Sequence, residues 1–215
     1  MKYILLDLDG TITDPKIGIT KSVQYALKSK GILIEDLDSL CRHIGPPLKT
    51  SFMEFYGFSE REAEELVEKY REYFKDTGIY ENEVFEGMDE LLRKLQAEGK
   101  RLITATSKPE VFAKRILEYF HLDQYFDDIC GATLDSSRIS KEDVIRYALE
   151  KNRIQDLSEV VMVGDREHDI IGARKVGIAS LGVLFGYGSR QELEQAGATR
   201  LALTVAEVYD IIIDM

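Results

Sequence analysis

The sequence predicts a doubly wound α/β fold, a parallel sheet with crossover helices, interrupted near its start by an all-helical insertion. Three observations carry that expectation. The chain opens on a short apolar run that ends in two aspartates and a glycine, KYILLDLDGT. Residues from about 15 to 80 show helical periodicity only, and from Gly78 onward strand and helix signals alternate. The expected domains are therefore a core of residues 1–14 and 81–215 and an inserted helical domain of residues 15–80.

Tyr3 to Leu6 is apolar throughout, too short for a typical helix and stopped by Gly10, which is the pattern of a strand buried on both faces. After Asp14-Pro15, Ile19, Val23, Ala26 and Leu27 fall at helical spacing before Gly31. A short helix is expected over Leu37 to Arg42, a break at Gly45-Pro46-Pro47, and a helix again from Leu48 to Tyr56. Ser59 and Glu62 form a capping-box pair, followed by Ala63, Leu66, Val67, Tyr70, Tyr73 and Phe74 on one face and Glu64, Glu65, Glu68 and Glu72 on the other. That acidic face reads as a solvated surface.

In the second half, Met88, Leu91, Leu92 and Leu95 predict a helix ended by Gly99, and Arg101 to Thr106 a strand closed by Ser107-Lys108-Pro109. A helix over about 110 to 120 follows, then a weak strand at Phe126 to Cys130 and a helix capped by Ser140 and Asp143. Val160 to Val163 reads as a buried strand, Ala179 to Leu184 as the last strand of the sheet, and Val205 to Ile213 as a closing helix.

Composition narrows the function. Of 215 residues, 44% are hydrophobic and 31% charged, enough to bury a core and against disorder. The formal charge of −11, from 28 basic and 39 acidic residues, argues against a nucleic-acid polymer as partner and leaves a small molecule. There is no apolar run of roughly 18 residues and no signal-peptide pattern, so no membrane partner and a cytoplasmic location are expected. Cys41 and Cys130 lack a CxxC partner and read as ordinary thiols. A monomer or weak dimer is expected.

The chemistry gathers where strands end. Asp7 and Asp9 sit at i and i+2 beyond the first strand; on an extended chain their carboxylates point the same way and call for a cation between them. Thr106, Asp165 and Asp169 also fall at or beyond strand carboxyl ends, the edge where open α/β sheets bind ligands. Hard oxygen donors without Cys or His favour magnesium over zinc. Lys141 stands in the first turn of a helix, where a cation opposes the macrodipole at a cost of about 0.3–1 kcal/mol unless an anion lies near. Taken alone, it is more simply an exposed lysine that tolerates that cost.

DLDGT at 7–11, ATSK with Thr106, Lys141, and GDREHD at 164–169 resemble, in order and over nearly the whole chain, the four motifs of the haloacid dehalogenase superfamily. The helical insertion resembles that superfamily's C1 cap, as in its phosphoglycolate phosphatase-like members. The resemblance implies a Rossmann-like core and a magnesium-dependent phosphatase acting on a small phosphate monoester through an aspartyl-phosphate. It implies that Asp7 is the nucleophile and that Asp9 protonates the leaving alcohol and later activates water, its backbone carbonyl touching the metal. Thr106 and Lys141, with Ser107 where relatives often carry Asn, would hold phosphoryl oxygens. Asp165 would ligate magnesium directly, and Asp169 would do so through water or would orient Lys141.

Asp9 argues against a dehalogenase, whose leaving halide needs no proton, and a P-type ATPase would need transmembrane helices. A sugar-phosphate mutase would keep all these residues and remains the alternative; a non-catalytic binding module leaves the filled positions unexplained. The segment CRHIGPPLKTSFMEFY, residues 41–56, holds the expected substrate contacts Arg42, His43, Gly45, Lys49 and Phe52. Basic groups there suit a carboxylate such as that of phosphoglycolate, and aromatic groups suit a nucleobase. The GPPL turn resembles the 5′-nucleotidase-like branch, which tilts the expected substrate toward nucleoside 5′-monophosphates.

Overall fold

The computed structural model describes residues 1–135 and 137–215. The chain starts with strands β1 (Tyr3–Leu6) and β2 (Thr13–Asp14), then helices α1 (Lys16–Lys28), α2 (Leu48–Tyr56) and α3 (Glu60–Phe74). Strand β3 (Glu83–Val84) is followed by α4 (Met88–Ala97), β4 (Arg101–Pro109), α5 (Glu110–Tyr119), β5 (Asp128–Ala132) and α6 (Lys141–Lys151). The remainder is β6 (Val160–Gly164), α7 (Glu167–Val176), β7 (Ala179–Val183), α8 (Arg190–Ala196), β8 (Arg200–Ala202) and α9 (Val205–Asp214). The chain divides into two compact units, Met1–Asp14 with Val84–Met215, and Pro15–Glu83. No helix among the described residues is long and apolar enough to cross a membrane.

The larger unit is a six-stranded parallel sheet in the order β5-β4-β1-β6-β7-β8, flanked by helices, in keeping with the doubly wound α/β class the sequence predicts. From β1 the chain builds outward through β4 and β5, then returns to the other side of β1 with β6, so the strand order reverses at β1. Ligands of such sheets bind outside the strand carboxyl ends at that reversal. Register brings three strand ends level there: Leu6 pairs with Thr104 on one side and Val163 on the other.

The apolar runs are continuous because both faces are covered. One face buries Leu5, Ile103, Ala105, Cys130, Val160 and Met162 with Val144, Ile145, Ala148 and Leu149 of α6. Ile4, Leu6, Leu102, Val161 and Val163, of opposite pleat, are equally buried. Each such Leu, Ile or Val contributes roughly 1.5–3 kcal/mol over an exposed one, which fixes the register and with it the strand ends.

The sequence stops short of the structure in several places, among them the two-residue strands β2 and β3, which it does not signal. β4 runs on to Pro109 with a register shift between Thr106 and Pro109, where the sequence predicts closure at Thr106. β5 lies two residues later than expected. Ala179 to Leu184 is not the last strand of the sheet: β8 adds three residues at the edge, too few to show a pattern. α7 buries only Ile170, Ala173 and Val176 of its apolar residues among charged ones, and α8 has seven residues, so neither gives the periodicity that marks a helix.

In the smaller unit, α1 buries Ile19, Val23, Ala26 and Leu27, and α3 buries Ala63, Leu66, Tyr70 and Phe74. Ser59 caps α3 as expected: its N–H donates to Glu62 Oε2 (3.0 Å), while Glu62 N–H donates to Ser59 Oγ (3.4 Å). The acidic face is solvated and laced with pairs such as Lys30–Glu65 and Arg71–Glu68, both 2.7 Å. Exposed pairs of this kind add little stability. Cys41 is half-buried and Cys130 buried, and no disulfide joins them.

Candidate active site

Asp7 is the first residue past β1, and its N–H donates to the Val163 carbonyl (2.9 Å), continuing the ladder with β6. The chain then turns: the Leu8 carbonyl accepts from the N–H groups of Thr11, Ile12 and Thr13, and Gly10 takes a φ of +84°. A Cβ on Gly10 would stand 2.2 Å from Asp165 Oδ2, so both its backbone angle and its position require glycine. This turn separates the side chains of the first two aspartates: the Asp9 carboxylate stands outside the group that Asp7 forms with Asp165 and Asp169, against the expectation of one cation between the two carboxylates, and its Oδ2 lies 2.7 Å from Lys108 Nζ.

The carboxylates that do converge are Asp7, Asp165 and Asp169, each buried and each with an oxygen within 4.8 Å of the others. Asp165 follows β6, accepting from Tyr187 N–H at Oδ2 (2.8 Å) and from Thr11 Oγ at Oδ1 (3.4 Å). Asp169 sits in the first turn of α7, where its Oδ2 accepts from Arg166 N–H (3.1 Å). Lys141, first residue of α6, reaches across the strand ends, with Nζ 2.9 Å from Asp7 Oδ1, 2.7 Å from Asp169 Oδ1 and 2.9 Å from the Ala105 carbonyl it donates to. Its awkward helix position is thus matched by anions, and the solvent-exposed alternative does not hold, since the residue is buried.

Lys141 pairs with two of the three carboxylates, Asp7 and Asp169, and the surplus negative charge shows in their protonation. Burial, then the charges of Asp169 and Asp7, push Asp165 well above the usual carboxylate range. Burial raises Asp169 to about 6, Lys141 opposing and Asp7 adding to the rise. Burial works against the Lys141 charge, but Asp169 and Asp7 outweigh it and bring the ammonium to about 12. Buried oxygen donors carrying surplus negative charge fit a hard divalent cation, and Asp7, Asp165 and Asp169 are the residues that could hold it.

Thr106 is buried at the register shift of β4, its Oγ accepting from Lys108 N–H (3.2 Å), with half-buried Ser107 beside it. Two site residues escaped the sequence reading. Lys108 looks like a surface cation ending a strand, and only its place one residue past the Thr106-Ser107 pair marks it. Tyr187, in the glycine-flanked FGYGS loop after β7, joins the site through its N–H to Asp165 and through its hydroxyl to Asp14.

In the smaller unit, the residues of the 41–56 segment form their own cluster. The exposed guanidinium of Arg42 lies 4.4 Å over the Phe55 ring and 5.2 Å over Tyr56. His43 is buried between Phe52, Phe55 and Tyr56, at 5.5, 5.2 and 5.8 Å between ring centres. Phe52, expected to touch substrate, is fully buried and presents no face to a ligand, because α2 turns that side inward. Lys49 is held by Glu60 (2.6 Å) and Glu64 (2.7 Å), and Gly45 takes a φ of +102° in the turn. Burial, aided by Arg42, lowers the His43 imidazole to about 4.

The chain matches the family described as haloacid dehalogenase-like hydrolase over residues 4–183. A 5′-nucleotidase of Pseudomonas aeruginosa is 46% identical over 209 residues, 97% of this chain and 94% of the relative. Tyrosine-protein kinase PtkA of Mycobacterium tuberculosis is 38% identical over 212 residues, 97% of this chain and 72% of that protein. The crystal structure of a predicted phosphatase from Clostridium acetobutylicum superposes with a TM-score of 0.98 at 50% identity, covering 100% of this chain and 99% of the other. The chain belongs to the haloacid dehalogenase-like hydrolases, and it is a phosphatase of that family.

Two outcomes follow from the electrostatics. The folded chain binds a proton at Asp169 below pH about 6, whereas the unfolded carboxyl binds one only near 3.8, so the contribution of Asp169 to stability falls as pH rises through that interval and is least above it. A divalent cation held by these carboxylates, at a hundredfold excess over its Kd, should raise Tm by roughly 5–10 °C at pH 7.5. In thermal melts the rise should be smaller at pH 5 and absent in Asp165→Asn. His43 contributes in the opposite sense: the unfolded imidazole takes a proton below 6.5 and the folded one only below about 4, so its contribution to stability is lost as pH falls through that window. His43→Gln should remove on the order of 2 kcal/mol of that loss, seen as a smaller drop in Tm between pH 7 and 4.5 than the parent shows.

Proposed function

We propose that the phosphatase activity runs through an aspartyl-phosphate on Asp7 and requires magnesium. The observation that carries this reading is the division of labour between the two aspartates of one turn. Asp7 Oδ1 is held by Lys141 Nζ and by Leu8 N–H (2.8 Å), which leaves Oδ2 to attack phosphorus. Asp9, its pKa raised by burial against the opposing pull of Lys108, can carry a proton.

A phosphate dianion approaches a carboxylate only where cations screen the repulsion. Lys141 supplies one such charge; magnesium, which Asp7, Asp165, Asp169 and the Asp9 backbone carbonyl would hold, would supply the other. Thr106, Ser107 and Lys141 hold the phosphoryl oxygens while Asp7 attacks. As the ester P–O bond breaks, Asp9 gives its proton to the departing alkoxide, and in the second half it takes a proton from the water that displaces Asp7 from phosphorus. Asp7→Asn should remain folded, with its Tm close to the parent's, and lose more than about 10³-fold in kcat. Turnover within tenfold of the parent would refute the covalent route.

We assign the substrate as a small phosphate monoester and favour a nucleoside 5′-monophosphate. Supporting this are the high identity to the 5′-nucleotidase and the exposed Arg42 guanidinium lying over the rings of Phe55 and Tyr56, a planar cation on aromatic faces suited to stacking against a base. Stacking of that kind is worth roughly 1–3 kcal/mol per base. Against a panel of nucleoside monophosphates and phosphoglycolate, kcat/KM should favour a nucleotide, and Arg42→Ala should lower nucleotide kcat/KM about 5- to 100-fold. A tenfold preference for phosphoglycolate that Arg42→Ala abolishes would overturn the nucleotide reading.

A further inference from the structure

Lys108 has no place among the roles assigned above, yet it is built into the site with care. It lies where β4 slips register between Thr106 and Pro109, a bulge that re-aims a side chain. Its backbone is pinned on both sides: its N–H donates to Thr106 Oγ (3.2 Å), and β5 passes so close that a Cβ on Gly131 would stand 2.6 Å from the Lys108 carbonyl oxygen. The side chain is only 5% exposed and ends 2.7 Å from Asp9 Oδ2. Burying a lysine is costly, so its direction into the site calls for a partner that needs it. The two buried lysines divide the acids between them, Lys141 taking Asp7 and Asp169, Lys108 taking Asp9. On the far side of the Asp9 carboxyl, Oδ1 is buried and has no hydrogen-bond partner among the described residues.

We infer that Lys108 is a positioning residue for proton transfer: by gripping Oδ2 it fixes the rotamer of Asp9 and selects Oδ1 as the oxygen that exchanges the proton. This rests on the acid–base reading of Asp9. In the first half-reaction an O–H bond at Oδ1 breaks as the bridging ester oxygen leaves phosphorus and takes that proton, while an Asp7 oxygen bonds to phosphorus. In the second, water oxygen bonds to phosphorus, the Asp7–phosphorus bond breaks, and a water proton returns to Oδ1. Lys108 bonds to neither substrate nor water in this scheme. It keeps the one carboxyl oxygen that lacks a partner aimed at both.

The test is a leaving-group series, p-nitrophenyl, phenyl and ethyl phosphate, measured as kcat/KM, which reports the first half-reaction only, for the parent, Lys108→Met, Lys108→Arg, Asp9→Asn and the Asp9→Asn/Lys108→Met double variant. Circular dichroism and Tm confirm that each is folded; should Lys108→Met not fold, Lys108→Gln takes its place. If Lys108 acts through Asp9, Lys108→Met loses about 10²-fold or more on ethyl phosphate and stays within a few-fold of the parent on p-nitrophenyl phosphate. Lys108→Arg recovers most of the ethyl phosphate loss. The double variant is no slower than Asp9→Asn alone, since the two side chains act as a unit. A uniform loss across the three esters, or losses that multiply in the double variant, overturns the inference and makes Lys108 a direct phosphate contact. A flat leaving-group response in Asp9→Asn itself instead overturns the acid role of Asp9.

Discussion

The site depends on the cost of holding three carboxylates together out of water. Asp7, Asp165 and Asp169 come from the ends of two neighbouring strands and the helix after the second, and their oxygens lie within 4.8 Å of one another, with Lys141 paired to two of them. Like charges at that spacing in a buried site repel strongly. They stay together because the register of β1 against β6, locked by side chains buried on both faces, leaves them no other place. The sheet core thus supplies the free energy that the site consumes. That is why the acids stand beyond the middle strands, where packing is complete, and not at the edge formed by β8.

The smaller unit carries a different kind of polar burial. Its imidazole sits among aromatic rings with Nδ1 lacking a hydrogen-bond partner among the described residues, while the neighbouring guanidinium stays exposed over the same rings. An uncharged ring packs there as a flat, weakly polar plate, and a protonated one would face Arg42 at close range. The cluster therefore presents one cation to solvent and hides a second group that could have become one.

How far the sequence could be read depended on whether a feature was written as a pattern. β1, β6, α3 with its capping box, and the acids that follow strands are all carried by local periodicity and spacing, and Asp7, Asp165 and Asp169 were legible as strand-end acids for that reason, whereas Lys141 joined them only through the motif order of the family resemblance. The Asp7–Asp9 relation was misread because i and i+2 share a direction only on extended chain, and the three N–H groups that converge on the Leu8 carbonyl are a turn no periodicity announces. Lys108 was missed because a bulge in β4 breaks the alternation that tells which way a strand residue points. Phe52 was misassigned because composition marks an aromatic residue without telling which face of a two-turn helix it occupies.

The central position of β1 has a consequence for how the molecule comes into being. Of the six strands of the sheet, β1, which leads into Asp7, precedes the others in the chain, and one of its two neighbours, β6, begins only at Val160. A chain growing from its amino end therefore holds β1 with one open edge while about 150 further residues are added, and an exposed strand edge invites pairing with other chains. β4, arriving earlier, can cover only the opposite edge. Because Asp165 and Asp169 both follow β6 in the chain, the crowded acids can come together only after the strand that covers that edge has been made.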